Sequence, residues 1–336
     1  MSQLRMVTVV QRWLCMLGLL LITSASMATE LVASVSDNSW ALFQKMVANT
    51  SKHSFRGVFL FSNGAALSAM KVVHRWQDGV VRERLLQLDG EMGEILRDGS
   101  KIICILPNAN AINVYESGFS SPFAQLSGMP ETLAENYHLS TAGEDRVAGI
   151  VAQKLYLRAV DAYRHSYQLW INKADGFLLK YLLLDDSGAE IERFQYTQLE
   201  LGVVISDEEL NPTVVGTTKV HENTALERAT ATIDRVMTVP EWLVGWVPPG
   251  FALMQGGLPD KKYDSQVFSD GLASFSVFVV PVLTGEGMPE GGTMMGATTA
   301  YSRKVVHANH QYDVTIVGEI PPLSAMKIAA SVTLKN

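Results

Sequence analysis

The sequence has few cysteines, fewer basic than acidic residues, and no long apolar run in its main part. Only two of its 336 residues are cysteine, Cys15 and Cys104. Lysine and arginine number 27 against 34 acidic residues, a net charge of −7, and no basic stripe suited to nucleic acid is present. After residue 28 no segment reaches the length of about eighteen apolar residues that spans a bilayer. These shortages argue against nucleic acid as a partner and against a membrane anchor.

The first 28 residues have the pattern of a secretory signal. Arg5 and Arg12 give it a basic start, and residues 13–22 form an apolar segment too short to span a bilayer. Ser26 and Ala28 place small side chains at the two positions that specify cleavage. Cleavage would leave 25 basic and 34 acidic residues and Cys104 alone, so no intramolecular disulfide could form. We expect an exported, soluble protein, long enough for two domains, whose fold relies on its hydrophobic core.

Residues 29–201 are predicted to form a large β domain. Trp40, Phe43 and Met46 recur at helical spacing and predict one amphipathic helix near its start. About nine strands of alternating polarity follow, interrupted by one helical or looped insert. The Asp-Gly pairs that begin at Asp78, Asp89 and Asp98 are typical of hairpin turns and indicate an antiparallel meander.

Several of these strands are apolar on both faces. In the first, Phe59 and Phe61 point to one side while Val58 and Leu60 point to the other. A sheet with one solvated face would alternate more clearly. Two explanations stay open at this point: helices and loops cover both faces, or a curved sheet encloses a hollow.

The second half of the chain predicts a separate small domain. Residues 202–225 are polar, contain a proline, and are interpreted as a linker that lets the domains change their relative orientation. Residues 226–336 contain several strands, one hairpin and a closing helix, which predict a small α+β domain with the helix on one face of its sheet.

No motif for catalysis, a cofactor or a metal is complete. The glycine-rich segment 285–296 lacks a phosphate-binding pattern and is interpreted as a hairpin loop. His307 and His310 lack the further nearby ligands that a zinc site requires. No nucleophile elbow or supported Cys-His pair is present, so an enzyme is not expected.

Charged side chains on the meander have two interpretations. Arg82 and Arg84 share one face of a strand, with Glu83 opposite, and Arg97 follows around the next turn. They could form cross-strand ion pairs, which we favour, or a cationic rim for lipid phosphates or an acidic peptide.

Four stretches of sequence carry a family resemblance. They are "ERLLQLDGEMGEILRDG", "EDRVAGIVAQKLYL", "DAYRHSYQLWINKADGFLLKYLLLDDSG" and "SDGLASFSVFV…VTIVGEIP". Together they resemble the RseB/MucB family, periplasmic negative regulators of the envelope-stress sigma factor. The resemblance extends from about Trp40 to Val332 and covers both predicted domains.

The resemblance implies a fold and a function. The large domain would be a curved, unclosed antiparallel β-barrel like those of LolA and LolB, with a helical lid over an apolar cavity. The small domain would help to bind the periplasmic segment of the membrane anti-sigma factor, RseA or MucA. Binding would shield that segment from the site-1 protease, and lipopolysaccharide or a lipid-like signal would release it. The alternative is a periplasmic lipid or lipoprotein carrier, although a carrier does not need a second domain. Self-association stays open.

Strand alternation and aromatic content provide the candidate site residues, because the family offers no short motif for them. The candidates for lining the cavity are Phe59, Phe61, Leu86, Leu88 and Trp170. The candidates for a polar rim are Arg82, Arg84 and Arg97, and those for the partner interface are Trp242, Trp246 and Phe251. The aromatic residues of the last group suit the core of a small domain at least as well as an interface.

Overall fold

The structure is a computed structural model that describes residues 38–49, 52–90, 92–106, 131–222, 242–256, 264–282, 287–307 and 310–334. The predicted secretory signal, most of the insert before residue 131 and the end of the predicted linker lie outside these residues. In the described ranges, no helix is long and apolar enough to cross a bilayer.

An antiparallel sheet of eleven strands forms the large domain. Its order, β11-β5-β4-β3-β2-β1-β10-β9-β8-β7-β6, has two free ends, so the sheet is open, and the α+β, two-domain fold class is confirmed. The strands are β1 Phe55–Asn63, β2 Ala66–Gln77, β3 Val80–Gln87, β4 Glu94–Asp98, β5 Lys101–Leu106, β6 Tyr137–Val147, β7 Ile150–Ala159, β8 Ser166–Asn172, β9 Leu178–Leu184, β10 Glu190–Leu201 and β11 Thr217–Glu222.

The Asp-Gly pairs occupy turns of the meander, as predicted, but in three different ways. Between β2 and β3, Asp78 and Gly79 have φ values of 53° and 81°, the two positive angles of a type I′ turn. Between β4 and β5, Gly99 takes the first turn position with φ 58°. Asp89 lies in a longer connection, where its carboxylate accepts the backbone N–H of Ala69.

One face of the large sheet, called the inner face, carries the core of the domain. Helix α1, residues 38–49, is found where helical spacing predicts it and buries Phe43 and Met46 against this face. Helix α2, Glu131–Asn136, adds Leu133. Strand residues such as Phe59 complete the cluster. The described inner face is therefore packed with side chains.

The polar segment after β10 differs from the predicted linker. Residues 203–216, called the strap, cross the outer face of the sheet, where Ile205 and Leu210 pack against Val73. The chain then adds β11 to the sheet edge beside β5. Residues 203–222 therefore belong to the large domain. Side chains of the strap bind arginines of the sheet, and β11 is one of its strands.

The small domain is an antiparallel sheet with a helix on one face, as predicted. The six-stranded sheet has the order β13-β14-β15-β18-β17-β16, and β12 pairs with β19. Its elements are β12 Trp242–Val244, β13 Ala252–Gly256, β14 Asp264–Ser269, β15 Ser274–Pro281, β16 Gly291–Met295, β17 Thr298–His307, β18 His310–Gly318, α3 Pro322–Ser331 and β19 Val332–Leu334. Phe275, Ile316 and Ile328 lie at the centre of its core.

Candidate partner-binding site

Phe59 and Phe61 lie on the inner face of β1, as alternation predicts. Phe59 is 1% exposed and belongs to an aromatic cluster, with its ring 4.9 Å from that of Phe194 and 6.0 Å from that of Tyr196. Phe61 is partly buried against the same core. In the described structure these side chains are part of a packed interior.

Leu86 and Leu88 do not join Phe59. Strand β3 points Leu85 into the inner core, which places Leu86 on the outer face, opposite Lys71 and Glu94 on the neighbouring strands. Leu88, just beyond the end of β3, is 49% exposed. The one-residue step from Leu85 to Leu86 reverses the face, which an apolar run such as "RLLQL" does not reveal.

Trp170 alternates with Leu169 on β8 and lies opposite Lys154 and Lys180 of the neighbouring strands, yet it is buried in the same core cluster as Phe59. Its ring is buried beneath two cations, with Lys180 Nζ 4.2 Å and Lys154 Nζ 5.7 Å from the ring centre. The indole N–H donates to Asp145 Oδ2 at 2.9 Å. Trp170 thus belongs to the packed core cluster that contains Phe59, and its role in lining a cavity stays a prediction.

The three arginines are already engaged within the chain. Arg82 pairs with Asp207 of the strap at 2.8 Å. Arg84 pairs with Glu94 on the next strand and also donates to Thr213 of the strap. Arg97 Nε donates to the carbonyl of Gly99 at 3.1 Å. For Arg82 and Arg84 the structure shows the favoured ion pairs, within the sheet and to the strap.

Glu94 fixes the end of the strap to the sheet. Its side chain is fully buried, and Oε2 accepts the backbone N–H groups of Thr213 at 2.8 Å and Val214 at 2.9 Å. Together with the Arg84 guanidinium, these donors satisfy a carboxylate that would otherwise be costly to bury.

Of the three aromatic interface candidates, Trp246 and Phe251 contact residues of the large domain, and Trp242 does not do so in the described contacts. Trp242 and Phe251 are buried in the small-domain core. Trp246 meets Tyr163 of the large domain edge to face, with ring centres 5.1 Å apart. Lys327 Nζ lies 4.1 Å from the centre of the Trp246 ring and donates to the Tyr163 hydroxyl.

Arg164, which was not among the candidates, lies at the centre of the domain interface. Its side chain is fully buried and pairs with Asp270 of the small domain at 2.8 Å and Asp161 at 3.0 Å. It also donates to the carbonyl of Pro249, and its guanidinium lies over the ring of Phe251. Asp161, three residues earlier, was a visible partner, but nothing in the sequence links Arg164 to Asp270, 106 residues away.

Backbone and apolar contacts close the rest of the interface. Leu272 and Ala297 of the small domain belong to the core cluster of the large domain. A Cβ atom on Gly250 would lie 2.0 Å from Asn136 Nδ2, which shows how closely the two domains approach. The expected freedom of orientation is therefore not found in this structure, in which the domains are packed together.

Titratable groups near this interface have shifted pKa values. Burial lowers the pKa of His165 to about 4, although the charges of Asp185 and Asp186 oppose this shift. Burial raises the pKa of Glu192 to about 7, against a hydrogen bond from Tyr181. Burial also raises the pKa of Glu319. At neutral pH the His165 ring is neutral, so it does not compensate these carboxylates.

Comparison with known proteins gives the same relatives across both domains. The model of the MucB/RseB N-terminal domain matches residues 38–214, and that of the MucB/RseB C-terminal domain matches residues 237–333. The first match includes almost all of the strap, in agreement with its place on the large sheet.

Individual relatives match over nearly the whole chain. The sigma factor AlgU regulatory protein MucB of Pseudomonas aeruginosa is 31% identical, covering 94% of this chain and 96% of that protein. The sigma-E factor regulatory protein RseB of Haemophilus influenzae is 27% identical, with the same coverage. A crystal structure of MucB in complex with MucA(peri) superposes with a TM-score of 0.69 at 29% identity, covering 89% of this chain and 99% of that one. The chain belongs to the MucB/RseB family.

Proposed function

We propose that this protein binds the periplasmic segment of a membrane anti-sigma factor and thereby restrains an envelope-stress sigma factor. One observation carries the proposal: the related MucB, similar to this chain in both domains, has been crystallised with MucA(peri). A second structure of similar fold is the complex of Pseudomonas aeruginosa MucA and MucB. The relatives' names as sigma-factor regulatory proteins support the same role.

The action that we propose is protection of the bound segment from its first protease, ended by a lipid-like stress signal. The family resemblance supports both parts. The packed interface around Arg164 supports them indirectly, because it holds the two domains in one arrangement that a segment contacting both could recognise. The predicted secretory signal supports export to the periplasm, where such a segment would be found.

Co-purification from an envelope extract tests the proposal and its alternative together. The tagged protein, without residues 1–28, would be incubated with the extract, and bound proteins and lipids would be identified by mass spectrometry. We expect an anti-sigma factor among the bound proteins, absent from beads that carry the tag alone. Lipoproteins or lipid without any anti-sigma factor would contradict the proposal and favour a carrier.

The lipid signal requires a separate titration. A fluorescent peptide of the anti-sigma segment would be titrated with the protein at increasing lipopolysaccharide concentrations. We expect a loss of affinity. An apparent dissociation constant that reaches a plateau indicates two coupled sites, whereas one that rises without limit indicates competition for a single site. Unchanged affinity at every concentration would rule out lipid sensing and leave peptide binding intact.

A further inference from the structure

Strand β16 forms one edge of the small-domain sheet. In the described part of the chain, Gly291–Met295 pairs with β17 only, in a regular register without a bulge. All five residues are exposed, and none of them is charged. The backbone groups on the side of β16 away from β17 therefore face solvent.

The other long edge strands carry features that discourage pairing with a further strand. The edge strand β6 has an irregular register before Glu144, and both Glu144 and Arg146 are exposed. The edge strand β13 has an irregular register after Leu253, and β11 contains Lys219 and Glu222. Bulges and charges are the usual means by which natural sheets prevent their edges from pairing with other chains. Because β16 has neither, its edge is open to an added strand.

The hairpin geometry identifies the free backbone groups of β16. A two-residue turn that begins with Gly296 joins β16 to β17, and its φ of 57° is that of the first position of a type II′ turn. In such a hairpin the residues that flank the turn, Met295 and Thr298, bond to each other, and bonded pairs alternate along the ladder. The N–H and C=O groups of Met294 and Gly292 therefore point to the free edge.

Exposed apolar side chains flank this edge in both domains. Met294 and Met295 point to opposite faces of the sheet and are 45% and 69% exposed. The turn after them meets the large domain, since a Cβ atom on Gly64 would lie 3.3 Å from the nitrogen of Gly296. Leu67, on β2 just after the Gly64 turn, is 60% exposed. A segment paired with β16 could thus continue onto apolar surface of the large domain.

We propose that β16 binds an extended segment of the anti-sigma factor as an additional strand of the small-domain sheet. The free groups of Gly292 and Met294 would bond to the backbone of the segment and provide affinity. Apolar side chains of the segment would contact Met294, Met295 and Leu67 and provide specificity. This inference rests on the proposed function and adds to it the place and the mode of binding.

A second copy of this chain fits the edge less well than such a segment. Two paired β16 strands would contribute five residues each, whereas a stable interface buries about 800 Å² on each partner. Each copy also has a net charge of −7, so two copies repel each other. An extended segment can follow β16 and then the large domain, and it buries more area in this way.

Amide hydrogen exchange, followed by NMR, tests the backbone pairing. The protein without residues 1–28 would be measured alone and with a saturating synthetic peptide of the anti-sigma segment. We expect the amides of Gly292 and Met294 to exchange at least about tenfold more slowly with the peptide, because they then donate to the added strand. The amides of β13, at the other edge of the same sheet, serve as the control and should not change.

A proline variant tests the same contact by affinity. Met294→Pro removes a free N–H, and proline is tolerated at a sheet edge where the N–H faces solvent, so the pairing with β17 is kept. We expect it to raise the dissociation constant of the peptide about tenfold, through the lost hydrogen bond. Met294→Ala is the matched control, since it shortens the side chain but keeps the N–H, and it should stay within about threefold of the parent.

The outcomes separate this inference from the proposed function. Peptide binding to the parent protein without slower exchange at Gly292 and Met294 would overturn the inference and leave the proposed function intact. Equal affinities of Met294→Pro and Met294→Ala would do the same. Slow exchange of these amides without peptide, increasing with protein concentration, would assign the edge to a second copy and overturn the inference. A parent protein that does not bind the peptide would overturn both.

Discussion

At the scale of single residues, Arg82 and Arg84 show how burial changes the contribution of an ion pair to the free energy of unfolding. Both lie on the outer face of β3, two residues apart. The Arg84 side chain is 9% exposed and that of its partner Glu94 is fully buried, whereas the side chains of Arg82 and Asp207 are 32% and 69% exposed. Exposed pairs contribute about 0–1 kcal/mol, but removing one partner of a buried pair leaves a charge without compensation.

We therefore expect Arg84→Ala to lower the free energy of unfolding by about 3–5 kcal/mol, since it leaves the buried Glu94 carboxylate without its ion-pair partner. Arg82→Ala is the matched control and should lower it by about 0–1 kcal/mol. Urea unfolding followed by circular dichroism measures both. Equal losses in the two variants would show that Arg84 is not the buried partner of Glu94.

At the scale of elements, local rules predicted much of the fold. Asp78-Gly79 gives a type I′ turn because both positions must have positive φ, and the helical spacing of Phe43 and Met46 locates α1. These signals are short-range, so one sequence is sufficient to find them. Strand alternation also placed Phe59 on the inner face.

The positions of the strap and of Arg164 depend on contacts between residues far apart in the sequence, and such contacts leave no local signal. The strap is polar in sequence, yet Glu209 pairs with Arg56 of β1 and Asp207 pairs with Arg75 of β2. Such partners are more than a hundred residues apart, and polarity alone suggests solvent. For the same reason Arg164 was missed, because its second carboxylate comes from the other domain.

The strap offers a prediction of its own. Ile205 is buried against Val73, whereas Val204 beside it is 91% exposed. We expect Ile205→Ala to cost about 2–4 kcal/mol and to speed proteolytic cleavage within residues 203–216. Val204→Ala should change neither quantity measurably. Cleavage at the parent rate in the Ile205 variant would mean that apolar packing does not hold the strap.

At the scale of the whole molecule, the domains are joined by a buried interface that contains both charged and apolar side chains. Arg164, Asp270 and Leu272 are all excluded from solvent there. Inter-domain contacts within a chain more often resemble transient interfaces and allow movement. Here the buried charges of Arg164 and Asp270 neutralise each other. Partial separation of the domains would expose these charges to solvent or leave them unpaired.

Calorimetry should detect this coupling. We expect the parent protein to unfold in one transition, and Arg164→Ala to separate the transitions of the two domains by weakening their docking by about 3–5 kcal/mol. Arg158→Ala, which removes an exposed arginine on β7, serves as the control and should leave one transition. An unchanged thermogram for Arg164→Ala would show that the ion pair does not couple the domains.

The proposed function requires that the intact chain bind the periplasmic segment of an anti-sigma factor. This binding would be measured by isothermal titration of the purified protein, without residues 1–28, with that segment from the same organism. We expect saturable binding, and we expect Arg164→Ala to weaken it because the two domains then lose their common arrangement. A folded parent protein that shows no binding at any concentration of the segment would contradict it.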